Sequence, residues 1–209
     1  MKAYLLDITL RDCEPGISRR VILPAEITFE QLHRVIQAAM GWEDSHLYEF
    51  ILDEAQTQIL DDMVYDDMKA QQKYYQTLSV KDLAKMPNPF LAKLKIRKPR
   101  AKIDQYLEKG MVFQYVYDFG DDWIHDIQVV EIKDNYEVNY PEVLSFEGGY
   151  PIEDCGGPPG YAEIHHVMSN PNHPEYEDMK GWIDPNWDAP YDLDYANIYM
   201  GAYLQLKRK

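Results

Sequence analysis

The chain has 209 residues, with a formal net charge of −15 from 36 acidic and 21 basic side chains, and a hydrophobic fraction of 45%. The length suits one large domain, and since no Pro/Ser/Gly-rich linker divides it we expect a single domain over residues 1–209. The charge argues against non-specific binding to nucleic acid or to an anionic membrane, no apolar run is long enough to span a bilayer, and two distant cysteines, Cys13 and Cys155, form neither a disulfide framework nor a zinc ligand set.

The opening, MKAYLLDITL, lacks the apolar core and cleavage site of a signal peptide, so a cytoplasmic protein is expected. Within it, Tyr4, Leu6, Ile8 and Leu10 alternate with polar positions as in a half-buried strand. Glu14-Pro15-Gly16 marks a turn, and Ile17 to Leu23 reads as a second strand that sends Arg19 and Arg20 to opposite faces. Thr28 to Met40 is the strongest helix. Thr28 and Gln31 have capping-box spacing, Ile27 and Leu32 are placed as a hydrophobic staple, and Gly41 stands where a left-handed C-cap belongs. A third strand follows over His46 to Asp53.

Asp53 to Leu78 is polar and weakly periodic, and we expect a long loop or an excursion from the sheet. Ser79 to Lys85 reads as a short capped helix, and Met86-Pro87-Asn88-Pro89 breaks the chain. Lys93 to Lys102 then places six Lys/Arg in ten residues. This run could contact nucleic acid, but with few aromatics interleaved it reads better as a solvated face balancing an acidic surface. Arg100 to Lys109 has helical spacing.

Met111 to Glu131 carries the clearest strand pattern and reads as a β-hairpin. Phe113, Tyr115, Tyr117 and Phe119 share one face of its first strand, and Trp123, His125, Ile127 and Val129 one face of its second. Gly120, Asp121 and Asp122 are the turn. A loop follows, then a glycine-rich stretch from Glu147 to Gly160, a helix over Tyr161 to Ser169 with Pro158 or Pro159 near its first turn, and helices around Pro174 to Ile183 and Leu193 to Leu206.

Three segments together, Gly41-Trp42-x-x-Ser45-His46-Leu47-Tyr48-x-Phe50, Tyr117-Asp118-Phe119-Gly120-Asp121-Asp122-Trp123-x-His125 and Glu153-Asp154-Cys155-Gly156-Gly157-Pro158-x-Gly160-Tyr161, resemble the family named after the third open reading frame of an Ri plasmid. Members of that family are also described as insertion-element passenger proteins. The resemblance implies an α+β fold of the roll type and brings no established activity. The chain departs from the family pattern at Ser18, where a tryptophan is usual, and at Tyr150, where a cysteine is usual. Residues 87–109 look like an insertion relative to shorter members.

The expected fold is α+β: a mixed, mostly antiparallel sheet in a roll or β-grasp-like arrangement with helices packed against it. Candidate cleft residues are His46, Asp118, Asp121, Asp122, Trp123, His125, Glu153, Asp154 and Cys155. The acids could hold a hard divalent metal, with Asp118, Asp122 and His125 as its nearest ligands. The competing view is that the acids are turn residues at a solvated hairpin tip. The glycines before the last three helices lack GxGxxG or Walker spacing, and Glu153 or Asp154 is expected to cap the helix amides in place of an anion. Cys155 reads as a small buried residue sooner than a nucleophile. Adjacent His165 and His166 lie about 100° apart on a helix and cannot make an i, i+4 zinc pair. With no catalytic motif present, the leading functional expectation is a protein-binding or accessory module with a protein partner. The alternative is a divalent-metal-dependent hydrolase or nuclease.

Overall fold

The computed structural model describes residues 1–52 and 56–205. Asp53, Leu206 and the basic Lys207-Arg208-Lys209 tail lie outside the described residues. The chain order is β1 (Ala3–Leu10), β2 (Ser18–Pro24), α1 (Phe29–Met40), β3 (Tyr48–Leu52), β4 (Thr57–Leu60), α2 (Asp62–Thr77), α3 (Val80–Leu83), β5 (Lys95–Arg97), β6 (Val112–Tyr117), β7 (Trp123–Lys133), β8 (Glu142–Glu147), α4 (Gly157–Met168), α5 (Tyr176–Trp182) and α6 (Leu193–Tyr203). Among the described residues, eight strands form one sheet in the order β5-β4-β3-β6-β7-β1-β2-β8. Every pairing is antiparallel except that of β4 with β5. The expected mixed, mostly antiparallel α+β fold is what the chain adopts, and the five strands foreseen from alternation all share this sheet.

The period-two pattern places the core. Tyr4, Leu6 and Ile8 of β1, Val21 and Leu23 of β2, Phe50 of β3, Tyr115 of β6 and Ile127 of β7 bury on one face, against Leu32, Val35 and Ile36 of α1. The α1 capping box forms as its spacing foretells: Gln31 N donates to Thr28 Oγ1 at 3.2 Å and Thr28 N to Gln31 Oε1 at 3.0 Å. Gly41 closes the helix at φ +85°. Arg19 is buried and donates to three carbonyls, Ala39 at 2.9 Å, Ser18 at 2.8 Å and Glu147 at 2.7 Å, and also to Gly149 O. It ties β8 and the following loop to the end of α1, and stacks over Tyr191 at 3.8 Å.

Four expectations need correction. The stretch after β3 is β4 followed by a 16-residue helix, α2. Its periodicity is faint because only Gln72 and Tyr75 of α2 are buried, and Gln72 is a polar core residue, donating to Leu91 O at 2.8 Å and Leu94 O at 2.7 Å. The basic run contains edge strand β5, and Lys98 lies 3.5 Å from Asp62 and 3.4 Å from Asp66 of α2. Arg100 to Lys109 is not a helix beyond the 3₁₀ turn Ile103–Gln105. The carbonyls of Pro99 and Ala101 instead accept from Glu30 N (2.8 Å) and Phe29 N (3.0 Å), satisfying amides that α1 cannot satisfy itself. The loop after Glu131 holds β8, whose burial pattern is weak because only Val143 is inside.

Candidate functional site

Three segments meet where β6 turns into β7: the loop from Gly41 to Leu47, the turn from Asp118 to Asp122, and Glu153 to Gly157 ahead of α4. Tyr117 is their pivot. Its hydroxyl accepts from Ser45 N at 2.9 Å and donates to Glu153 Oε1 at 3.0 Å, and that carboxylate oxygen also accepts from Glu43 N at 2.9 Å. His46 lies above this network. Its Nδ1 is 3.7 Å from Asp118 Oδ2, and its Nε2 is 3.6 Å from Glu153 Oε2 and 3.1 Å from Asp154 Oδ1. The 3.1 Å approach to Asp154 is in ion-pair range without forming a hydrogen bond, and Glu153 Oε2 at 3.6 Å is too far for one, so His46 Nε2 and Glu153 Oε2 are both buried without a hydrogen-bond partner. Burial pushes the Glu153 carboxyl pKa up.

One ligand atom each from His46, Asp118 and Asp154 lie within 4.8 Å of one another, a spacing that donors to one shared ion would have. The spacing of His46 Nε2 to Glu153 and Asp154 is close to that of donors around one ion with bonds of about 2.1 Å. Asp118 Oδ2 approaches from the Nδ1 side, 3.7 Å away.

The turn departs from its expected chemistry. The positive φ values fall on Asp118 (57°) and Asp122 (54°) and not on Gly120. Asp118 Oδ1 accepts from Gly120 N at 2.9 Å, an Asx turn, and Asp122 N donates to Asp118 O at 2.8 Å. The carboxylate that reaches the start of α4 is not Glu153 or Asp154 but Asp121, whose Oδ2 accepts from Gly156 N at 3.0 Å. The glycines allow this contact. A Cβ on Gly157, which has φ +71°, would lie 2.3 Å from Asp121 O.

Not every candidate joins the cluster. Asp122 is exposed. Trp123 is fully buried, its ring 5.0 Å from that of Trp42. His125 is equally buried and faces the core: Trp42 Nε1 donates to its Nε2 at 3.1 Å, and its Nδ1 lies 3.0 Å from Trp123 O. Burial pushes its pKa down to about 4, so at neutral pH it is an uncharged core residue. The ligand set Asp118, Asp122 and His125 is therefore corrected, since strand alternation places His125 beside Ile127 and Trp123 and away from the tip. Cys155 is half-buried and free, with burial raising its pKa to about 11, so the thiol is protonated and a poor nucleophile. Tyr150, which replaces the family's usual cysteine, packs against Gly41 and accepts from Asp192 N at 3.0 Å.

Two features escaped the sequence. The first is a polar chain that runs from the core to the surface. Tyr115 OH lies 2.7 Å from His33 Nδ1 and accepts from Gln37 Nε2 at 2.9 Å, and His33 Nε2 is 2.7 Å from Asp44 Oδ1. The His33 ring stacks on Tyr48 at 3.7 Å, and burial lowers its pKa despite Asp44. The second is α6, which buries Ala196 and Met200 yet leaves Tyr195 (64%), Ile198 (70%), Tyr199 (41%) and Tyr203 (73%) exposed. Between α6 and α1 runs a groove of about 490 Å³ whose walls include Tyr195, Tyr199, Tyr203, Arg34, Glu43 and Asp44. The i, i+4, i+8 spacing of the tyrosines was readable, but a helix with apolar residues all round gives no single stripe to follow.

The fold and the three converging segments define an α+β class of protein built around an acid-rimmed hairpin tip. The chain belongs to the plasmid pRiA4b ORF-3-like protein family, which it matches over residues 2–198. It is 30% identical over 193 residues to the uncharacterized protein y4hQ of Sinorhizobium fredii (strain NBRC 101917 / NGR234), covering 92% of this chain and 85% of that one. It also resembles the crystal structure of MM3350, a protein of unknown function from Methanosarcina mazei Go1. That likeness has a TM-score of 0.68 and 28% identity, over 91% of this chain and 94% of the other. No described helix is long and apolar enough to cross a membrane.

Proposed function

We propose that this chain is a cytoplasmic protein-binding accessory module that docks its partner in the groove between α1 and α6. The observation that carries this reading is the outer face of α6. Single exposed apolar side chains are ordinary on a protein surface. Here Tyr195, Ile198, Tyr199 and Tyr203 lie together on one 11-residue helix, three of them along a concave groove. Tyrosine offers large, rigid contact area at low entropic cost and is enriched where interfaces are strongest. Contiguous aromatic surface beside a groove suits a helix or extended segment of another protein.

Photo-crosslinking tests it. With p-benzoylphenylalanine in place of Tyr199, a discrete adduct is expected in cells, and it should vanish when Ile198→Asp is added. The same probe in place of Val80, which is 87% exposed on α3, should give none. No adduct at 199, or equal adducts at both positions, would refute the docking surface.

A second reading rests on the His46 cluster: a divalent cation held by His46, Asp118 and Asp154, with Glu153 beside them, the kind of centre a metal-dependent hydrolase or nuclease would need. Two buried, unpartnered ligand atoms 3.6 Å apart support it. Metal-dependent melting, argued below, is its test.

A further inference from the structure

Resting on the docking reading above, we infer that the partner segment seated between α1 and α6 is cationic, with lysine or arginine side chains laid over the tyrosines and against Glu43 and Asp44. The charge of the groove points that way. Helix α6 contains no lysine or arginine, and exposed Asp192 at its N-cap and Asp194 in its first turn lie at the end of the helix, outside the groove lining. Asp192 caps the helix by accepting from Tyr195 N at 2.8 Å. On the opposite wall Glu43 and Asp44 are exposed, and the cation there, Arg34, is 3.0 Å from Glu30. An acidic partner would meet the Glu43 and Asp44 carboxylates on one wall with no cation on the α6 wall facing them, and the paired Arg34 would offer it little. A second copy of this chain, itself at −15, would meet the same repulsion.

The aromatic rings add to the selection. Tyr199 and Tyr203 lie 4.8 Å apart with their faces tilted at 40°, and both line the groove. A guanidinium or ammonium over such a face is attracted by the ring quadrupole, and the long alkyl stem of Lys or Arg covers the ring edges at the same time. Asp44 is also held in place. Its backbone N donates to Gln37 Oε1 at 2.8 Å and its Oδ1 faces His33 Nε2 at 2.7 Å, so its free oxygen is presented on a fixed frame. A fixed carboxylate gives up less entropy on pairing than a mobile one.

Fluorescence anisotropy with three labelled 14-residue amphipathic peptides, identical in their leucines and bearing lysine, glutamine or glutamate elsewhere, tests the inference on the full chain. The lysine peptide should bind at least tenfold tighter than the glutamine peptide, and the glutamate peptide should not bind. Because an acidic protein attracts cations everywhere, the site is fixed by variants. Glu43→Lys should weaken the lysine peptide at least tenfold. Asp67→Lys, on α2 beyond the opposite edge of the sheet, changes net charge equally and should alter affinity less than twofold. Tyr199→Leu keeps apolar area but removes the ring, and should weaken the lysine peptide about fivefold while leaving the glutamine peptide unchanged. Equal losses from Glu43→Lys and Asp67→Lys, or equal binding of the lysine and glutamine peptides, would overturn the cationic partner. If the Tyr199 crosslink persists in those cases, the docking surface stands and only its charge preference falls. If the crosslink is also absent, both fall. Two rival occupants have their own signatures, and either overturns the inference. Dimerisation that Ile198→Asp abolishes would make the occupant a second copy. Tenfold tighter peptide binding after Lys207, Arg208 and Lys209 are all changed to serine would make it the chain's own tail.

Discussion

The tip and the stem of the β6–β7 hairpin are a few residues apart in sequence and opposite in physics. At the stem, Tyr115, Tyr117, Trp123 and His125 are sealed among aromatic rings, and the polar atoms of Tyr117 and His125 find partners inside the protein. At the tip, Asp118, Asp121 and Asp122 are at least partly solvated, and the contacts they make are to loop backbone or to His46. The two histidines beside this hairpin follow the same division. His125 is fully buried among aromatic rings, whereas the His46 side chain is 27% exposed and ringed by three carboxylates. A motif that reads as one unit thus divides into an aromatic frame and an acidic surface borne on it. Only the surface can take up an ion or a charged partner.

The largest effect should come from breaking the frame. Trp123→Ala removes a fully buried ring and should cost about 3–5 kcal/mol in urea unfolding. Phe119→Ala, in the same motif but 42% exposed, should stay within about 0.5 kcal/mol. Comparable losses from both would mean that tip and stem are one cooperative unit. Next comes pH. The folded pKa of His125, about 4, lies below the usual 6.5, so the stability it supports is complete above pH 6.5 and is lost as pH falls toward 4. The whole span is worth about 3 kcal/mol, and His33, also depressed by burial, adds in the same direction. NMR titration should find the His125 ring neutral at pH 5. A ring charged at that pH would place it in contact with water and erase the contrast with the tip.

How much of this was legible follows from what each signal depends on. Alternation and capping are local, so β1, β2, β3, the hairpin and α1 were readable, down to the Thr28–Gln31 box. Elements stabilised by a single buried position, such as β8 with Val143, left no pattern, and α2 hides its inward residue as a glutamine. Arg100 to Lys109 was misread because the Ala101 carbonyl and that of Pro99 just before the segment serve the amides of α1, a long-range demand that local spacing does not encode. Of the site, His46, Asp118, Glu153 and Asp154 were named as cleft candidates from the three motif segments, and their side chains lie within 3.1–3.7 Å of the His46 ring. The orientation of His125 was also implicit in the same alternation that put Trp123 and Ile127 inside. The polar chain of Tyr115, His33 and Asp44 joins residues up to 82 apart in sequence and had no local mark.

The smallest effect expected is also the one that sharpens the tip most. A cation bound only by the native state raises stability by about 1.4 kcal/mol at ten times its dissociation constant, which for a chain of this size is roughly 3–5 °C in Tm. We expect at least one of Mg²⁺, Mn²⁺, Ca²⁺ and Zn²⁺ at 1 mM to produce such a shift at pH 7. The double variant His46→Gln, Asp154→Asn removes two of the three donors that face one another and should abolish it. His125→Gln should lower the baseline Tm yet keep the metal-dependent rise, because His125 Nε2 is taken up by the Trp42 indole and faces away from the carboxylates. The sign of this last comparison is the discriminating one. A frame lesion that spares the metal response, set against a tip lesion that removes it, would separate the two regions functionally. If none of the four ions moves the melting transition, or if the double variant responds as strongly as the parent, the carboxylates around His46 are a solvated turn and the metal reading fails.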